Sequence, residues 1–351
     1  MAGKRDKTAV VGGVPLQPAG AATLIDVARV AGVSPITVSR ALNQPALLTE
    51  KTLAKVAAAV LQTGYVKNMV AGALASNRSK LVALLLPTIA NTIFADTVQA
   101  ATDTLTAAGY QVLLGLSGYE PWREEALIET VLSRRPDGII VTGTAHTDAT
   151  RQRLAHARIP VVETWDMTAT PIDMLVGFSH EAVGAAMAGH LLARGYRRFA
   201  ILTLDDPRGA RRNSGLLTAL AAHGVTVVNT DTVPAPATMP LGRAGAARLF
   251  AAPKKRRPDV IVCSSDTLAL GALTEAASRG LHVPDDVAIM GFGDLNYAAH
   301  TVPPLSTVSI DGAAIGRIAA QRLLDRFNGV QMPATERVTD TGFTLLPRGS
   351  T

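Results

Sequence analysis

The 351-residue chain contains a single cysteine, Cys263. That excludes an intrachain disulfide and a cysteine-cluster metal site, and a reducing, cytoplasmic setting is expected. Long apolar runs are missing too; none approaches the ~18 residues of a membrane span. Catalytic signatures are equally scarce. No Walker A sequence occurs, "GFGDLN" lacks the third glycine of a dinucleotide fingerprint, and "GLSG" is not a G-x-S-x-G elbow. The seven histidines show no HExxH spacing. No enzyme activity, metal or cofactor is expected.

Acidic residues are rare at the start of the chain. Residues 1–80 hold three Asp/Glu against ten Lys/Arg, whereas residues 81–351 hold 25 against 24. All the excess positive charge sits in the first quarter, the footprint of a nucleic-acid-binding module on a neutral body. A membrane-surface binder would share that asymmetry, so finer features must decide. Residues 1–22 begin with lysines and faintly resemble a signal peptide. Gly12, Gly13, Pro15 and Pro18 interrupt the stretch before an apolar region of ~7–15 residues can form, and a disordered tail is expected.

"TLIDVARVAGVSPITVSRALNQP" reads as two short helices joined by a tight turn. Thr23 is placed to cap the first, with Asp26 as the acidic half of a capping box. Val27, Ala28 and Ala31 form its apolar face, and Gly32 supplies the turn. Ser34 caps the second helix and Pro35 takes its first position. Val38, Ala41 and Leu42 then point inward, leaving Pro35, Ile36, Ser39 and Arg40 outward. A third helix is expected from the Thr49 cap through Leu53, Val56, Ala57 and Val60 to Gly64. This is the pattern of a helix-turn-helix, whose second helix enters the major groove, although spacing alone also fits a generic three-helix cap. The outward face favours the first reading. Arg40 suits a bidentate contact with guanine and Ile36 a thymine methyl, while Ser34 and Thr37 suit phosphates.

The stretch "YVKNMVAGALASNRSK", residues 65–80, is a marginal helix: its centre is short of the ~12 residues an isolated helix needs. From residue 81 strands and helices alternate. Strands are expected at 81–87, 110–114, 138–141, 160–162, 174–176, 199–202, 225–229, 260–263 and 288–291. Helices are expected at 94–108, 124–133, 147–157, 180–194, 211–222, 241–251, 267–279 and 310–327, with one more strand after the last. Such alternation builds parallel sheets covered by helices, and two series imply two doubly wound subdomains with a ligand crevice at the strand ends.

"TLIDVARVAGVSPITVSRALN" followed by "GYVKNMVAGALASNRS" resembles the headpiece of the lactose-repressor (LacI) family of bacterial transcription regulators, and the resemblance runs from Thr23 to Thr351. It implies an all-α helix-turn-helix headpiece (23–67), a hinge helix (68–80) and a periplasmic-binding-protein-like α/β body (81–351). The N-subdomain would comprise about 81–178 and 308–331, the C-subdomain about 179–307 and 332–351. The resemblance implies that the hinge folds when a homodimer sits on a palindromic DNA operator, with Leu74 wedged into the minor groove and Ala71 on the same face. A linker leucine packed on the body is the plainer alternative for Leu74. Gly72 departs from the family pattern and lowers helix propensity by ~1 kcal/mol relative to Ala. Thr23, Asn43, Tyr65 and Asn68 join the implied DNA-contacting set.

For the crevice, the resemblance places the family's ligand-binding arginine at Arg212 in "RRNSG", with Arg208 and Arg211 nearby. A guanidinium there grips a carboxylate, a phosphate or paired hydroxyls; a solvated helix start is the alternative. Asp266 is kept in "SSDTLALG", but Ser265 replaces the usual Asn. In "GFGDLN", Gly293 stands where sugar-binding relatives carry Asp, while Asp294 remains. Trp165, expected to stack on an apolar sugar face, and Asp166 end one strand; Thr88, Asn91 and Phe94 follow the first strand, and Thr142 and Thr144 the third. Phe178 and His180 fall at the first crossover, where ordinary packing is as good a reading as contact. "NTIFADTVQ", "LSGYEP" and "RRPDGIIVTGTAHT" look most like the gluconate-operon repressors, which implies gluconate or a phosphorylated or oxidised relative as small-molecule effector. A neutral sugar or nucleobase as effector, a solute-binding protein and a sugar-acid enzyme are the rival readings.

Overall fold

The computed structural model describes residues 22–66, 78–90, 92–253 and 257–351, in two units that divide between residues 77 and 78. Residues 1–21 of the expected tail and 68–77 of the expected hinge, including Asn68, Ala71, Gly72 and Leu74, lie outside the described residues, as does Asn91.

In the first unit α1 (Leu24–Ala31), α2 (Pro35–Asn43) and α3 (Glu50–Thr63) pack around one small core of Val27, Ala28, Val38, Val56 and Ala59. Each helix start is a local device. Thr23 and Asp26 form a reciprocal capping box, Ser34 accepts from the Thr37 N–H beside Pro35 at N1, and Thr49 accepts from the Thr52 N–H. The turn between α1 and α2 passes through Gly32 at φ 63°. One inward residue differs from expectation: Ala57 is exposed and Ala59 takes the core position. Both spacings suit a helix face, and the direction from which α1 approaches α3 decides between them.

The second unit holds two parallel sheets. The larger contains β1 (Leu81–Leu86), β2 (Gln111–Leu116), β3 (Gly138–Thr142), β4 (Val161–Thr164), β5 (Met174–Gly177) and β11 (Val338–Asp340), in the order β11-β5-β4-β3-β1-β2. Its helices are α4 (Ala95–Ala107), α5 (Pro121–Ser133), α6 (Asp148–His156) and, from the last part of the chain, α11 (Gly312–Phe327), which packs along α4. The smaller sheet orders β6 (Phe199–Leu204), β7 (Asn229–Val233), β8 (Val260–Cys263) and β9 (Ala288–Met290) as β7-β6-β8-β9. Around it lie α7 (His180–Ala193), α8 (Pro207–Ala222), α9 (Met239–Phe250) and α10 (Asp266–Ser278). A short antiparallel pair joins β10 (Thr307–Ser309) to β12 (Thr344–Leu346).

In both sheets the second strand lies outside the first and the third on its other side. The order reverses between β1 and β3, and between β6 and β8, and these switch points put a crevice at the carboxyl ends of those strands. The chain passes between the lobes three times: after β5, after β10 and after β11.

Three sequence expectations shift. The strand expected at 225–229 lies at Asn229–Val233, pairing Ala200 with Asn229 through Leu204 with Val233. As an edge strand it tolerates polar residues, and the apolar residues before it bring the chain to the sheet instead. The helix expected from residue 211 starts at Pro207, because Asp206 accepts hydrogen bonds from the Arg208 and Gly209 N–H groups at 3.0 Å each. Residues 332–351 do not stay with the smaller sheet: Val338–Asp340 pair with β5 before the chain returns at β12.

Candidate reading helix and effector crevice

On α2 of the first unit, Pro35, Ile36 and Arg40 are exposed, Ile36 at 66%. Val38 on the opposite side is fully buried. A β-branched apolar side chain left in water beside an arginine on the same face leaves that face without a core to serve. Ser34 Oγ lies 2.8 Å from Thr37 Oγ1, and the Asn43 amide donates to the Ser39 carbonyl at 2.8 Å, so the polar residues around the face are held by their own helix. Thr23 is engaged in its cap, and Tyr65 is half-buried against the three-helix core.

In the second unit the crevice residues are buried and held from a distance. Gly184 and Gly215 allow α7 and α8 to touch backbone to backbone: a Cβ on Gly215 would lie 2.0 Å from the Glu181 carbonyl oxygen. That contact fixes the next turn of α8, where Arg212 is buried. Arg212 Nη1 donates to His180 Nδ1 at 2.8 Å and Nη2 to the Ser264 carbonyl at 2.9 Å, with the guanidinium 3.9 Å above the Phe292 ring centroid. Burial lowers the Arg212 pKa to about 10, against the pull of Asp206 and Asp166. Burial, with the nearby arginines, also keeps His180 neutral, and its Nε2–H donates to the Trp165 carbonyl at 3.0 Å. Arg211 bonds Asp166 at 2.9 Å and the Met167 carbonyl at 2.8 Å. Arg208 lies 3.9 Å from Asp206 and 5.5 Å from the Phe94 ring centroid. Gly143 beside Arg208 sits at φ 99°, a backbone conformation that residues with a Cβ rarely adopt.

A cavity of about 100 Å³ opens at the β1–β3 switch point, between Pro87, the loops 117–121 and 142–147, Asp166 and Arg208. Of the residues expected to bind ligand, Thr142, Asp166 and Arg208 line it. Others are closed into the interior. Trp165 does not offer a face for stacking: it is 2% exposed, packed edge-on against Phe94 and Phe178, and its indole N–H donates to Thr97 Oγ1 at 3.0 Å. Phe178 is fully buried in the same aromatic cluster. Ser265 caps α10. Asp266, with its pKa pushed up to about 6 by burial, accepts from Thr307 Oγ1 at 2.6 Å and the Leu295 N–H at 2.8 Å. Asp294 holds Arg348 at 2.7 Å, and Thr88 Oγ1 accepts from the Ala90 N–H at 2.9 Å. These groups brace the loops around the crevice.

Sequence reasoning missed one cluster. His146, its side chain 1% exposed, places Nδ1 2.7 Å from Glu124 Oε1 and Nε2 3.5 Å from Glu163 Oε1. Burial alone would lower the His146 pKa, but the bond to Glu124 and the charge of Glu163 outweigh it and raise the pKa to about 9. Thr147 donates to Glu125 at 2.6 Å, so the β3–α6 loop is tied twice to the start of α5. Among the described residues no group of His, Cys, Asp and Glu is arranged to hold a metal, and no helix is long and apolar enough to cross a membrane.

Comparison with known proteins agrees with this arrangement. Residues 23–68 match the family model of bacterial regulatory proteins, lacI family, and residues 188–351 that of a periplasmic binding protein-like domain. The HTH-type transcriptional regulator GntR of Pseudomonas aeruginosa is 39% identical over 95% of this chain and 96% of its own. A LacI-family regulator from Silicibacter pomeroyi has a similar structure, with a TM-score of 0.87 at 31% identity over 94% of this chain and 99% of that one. A lac repressor dimer bound to operator and the anti-inducer ONPF superposes with a TM-score of 0.80 at 25% identity, over 95% and 99% of the two chains. With an exposed helix face carrying Ile36 and Arg40 on one unit and a crevice at two strand switch points on the other, the chain belongs to the LacI family of DNA-binding transcriptional regulators.

Proposed function

We propose that the chain is a homodimeric cytoplasmic repressor that binds a palindromic operator and is controlled by a sugar acid such as gluconate. Pro35, Ile36 and Arg40 read base edges in the major groove; Thr23, Ser34, Thr37, Ser39 and Asn43 position the helix on phosphates; Leu74 wedges the operator centre. The GntR relative and the operator-bound lac repressor dimer support this reading. So does the edge strand β2, which leaves Leu113, Leu114 and Leu116 exposed and suits a second copy of the chain.

One observation carries the effector class. Arg212 is a buried guanidinium whose two hydrogen bonds among the described residues both go to uncharged groups, His180 and a carbonyl. A buried cation without a carboxylate in contact is costly, and an anionic ligand offsets that cost. Arg208, one turn earlier on the same face of α8, adds a second positive charge. The ligand acts by favouring one arrangement of the two lobes over another, to the extent of its differential affinity.

The test is a gel shift on the chain's own upstream DNA with a panel of sugar acids, neutral sugars and purines. Gluconate is expected to change operator affinity. In Arg212→Met that response weakens at least a hundredfold in effector concentration while ligand-free operator binding stays within threefold. A response to a neutral sugar or purine, and to no acid, overturns the effector class.

A further inference from the structure

One guanidinium reaches this cavity: Arg208 stands on its wall with Nη1 beside Gly143, while Arg212 lies beneath it, bonded to His180 and the Ser264 carbonyl. At the β1–β3 end every hydroxyl whose partner is fixed has already spent its proton. Thr144 Oγ1 donates to Asp166 Oδ2 at 2.9 Å, and Ser117 Oγ directs its single proton at the Leu86 or the Gly118 carbonyl, at 3.3 and 3.2 Å. A hydroxyl that has given its proton to a neighbour retains lone pairs and can only accept. Glu124, also on the cavity wall, uses one oxygen toward His146 and keeps further acceptor sites. The cavity is open to solvent on one side and has room for several hydroxylated carbons.

We propose that this end of the crevice is a hydroxyl subsite, walled by Ser117, Glu124 and Thr144, that accepts hydrogen bonds from the uncharged tail of an open-chain polyhydroxy acid. The inference rests on the effector reading above and sharpens it. The ligand is a monoanion with its carboxylate toward the arginines and its terminal hydroxyls toward Glu124. A second carboxylate or a phosphate at the far end finds acceptors where it needs donors, so aldarates and phosphorylated aldonates are rejected. His146 is the positioning residue: clamped between Glu124 and Glu163, it fixes the Glu124 carboxylate on the wall.

Calorimetric titration of the full chain with gluconate, glucarate and glycerate tests this. Glucarate adds a carboxylate at the tail, and glycerate lacks the tail. Gluconate is expected to bind at least tenfold more tightly than either. Glu124→Gln, whose amide brings donors, is expected to narrow the gap between gluconate and glucarate at least fivefold. Ser117→Ala is expected to weaken gluconate severalfold and leave glycerate unchanged; it decides the matter alone if the Glu124 variant does not fold. Equal or tighter binding of glucarate by the wild type overturns the subsite, as does a gluconate affinity indifferent to both variants. If none of the three acids binds, the effector reading itself falls and the subsite with it.

Discussion

The two units of this chain hold their functional side chains in opposite ways. On the headpiece, Arg40 and Ile36 stand in solvent, and the helix beneath them is set by bonds three or four residues long, such as Ser34 to Thr37. In the body, Arg212 and His146 are buried, and their partners lie 17 to 52 residues away. A surface that must meet DNA can be built from local rules. A site that must enclose a small molecule takes its walls from several strands and inherits every constraint of their packing. Mutations should therefore act differently in the two places: in the headpiece they change what is read, in the body they change whether the site exists.

Breaking the body's packing should give the largest effect. Gly215→Ala places a methyl group 2.0 Å from the Glu181 carbonyl oxygen, backbone against backbone, where no side chain can yield. A loss of about 3 kcal/mol in body stability is expected, read as a lowered urea midpoint, while the headpiece keeps its helical signal. An unchanged midpoint would mean that α7 and α8 are not held as closely as described.

Next comes the buried ion cluster. Folded His146 holds its proton more tightly than the unfolded chain does, with a pKa of about 9 against 6.5. Its contribution is therefore complete below about pH 6.5 and is lost as pH rises through 9. Body stability should fall by about 2 kcal/mol across that window, and His146→Gln should flatten the profile. Equal slopes in the two proteins would show that the imidazole does not titrate there. The smallest effect is expected at the surface of the headpiece. Arg40→Ala should leave stability alone and relax preference at one operator base pair by ~1–3 kcal/mol, measured with base-substituted operators. A uniform loss across all sequences would reassign Arg40 to the phosphates.

The same contrast explains what the sequence disclosed. Thr23, Ser34 and Thr49 announce their helices because capping needs only neighbours. The alternation of strands and helices was legible for the same reason, and both sheets follow from it. The edge strand β7 lies four residues later than its apolar pattern suggests, because Val225 and Val227 pack into the core without joining the ladder. The earlier start of α8 is written in Asp206 and Pro207, a cap and first-position pair as local as those of the headpiece. Trp165 cannot be placed by its position at a strand end, since its burial depends on Phe94 and Thr97 arriving from one other segment and Phe178 from another. The His146 cluster leaves one trace: Glu163 in "VVET", a charge within a fully buried interior strand. Such a residue requires a partner, but nothing local says which.

The three passages of the chain between lobes carry a mechanical consequence. Two bodies tied by three crossover segments, two of them bonded to each other where Thr341 donates to the Gly177 carbonyl, lose their freedom to slide past one another or to separate. What remains soft is rotation about these segments. A molecule held in the crevice thus has one coordinate to push on, and wherever it touches the walls, its binding energy is delivered as torque about a single axis.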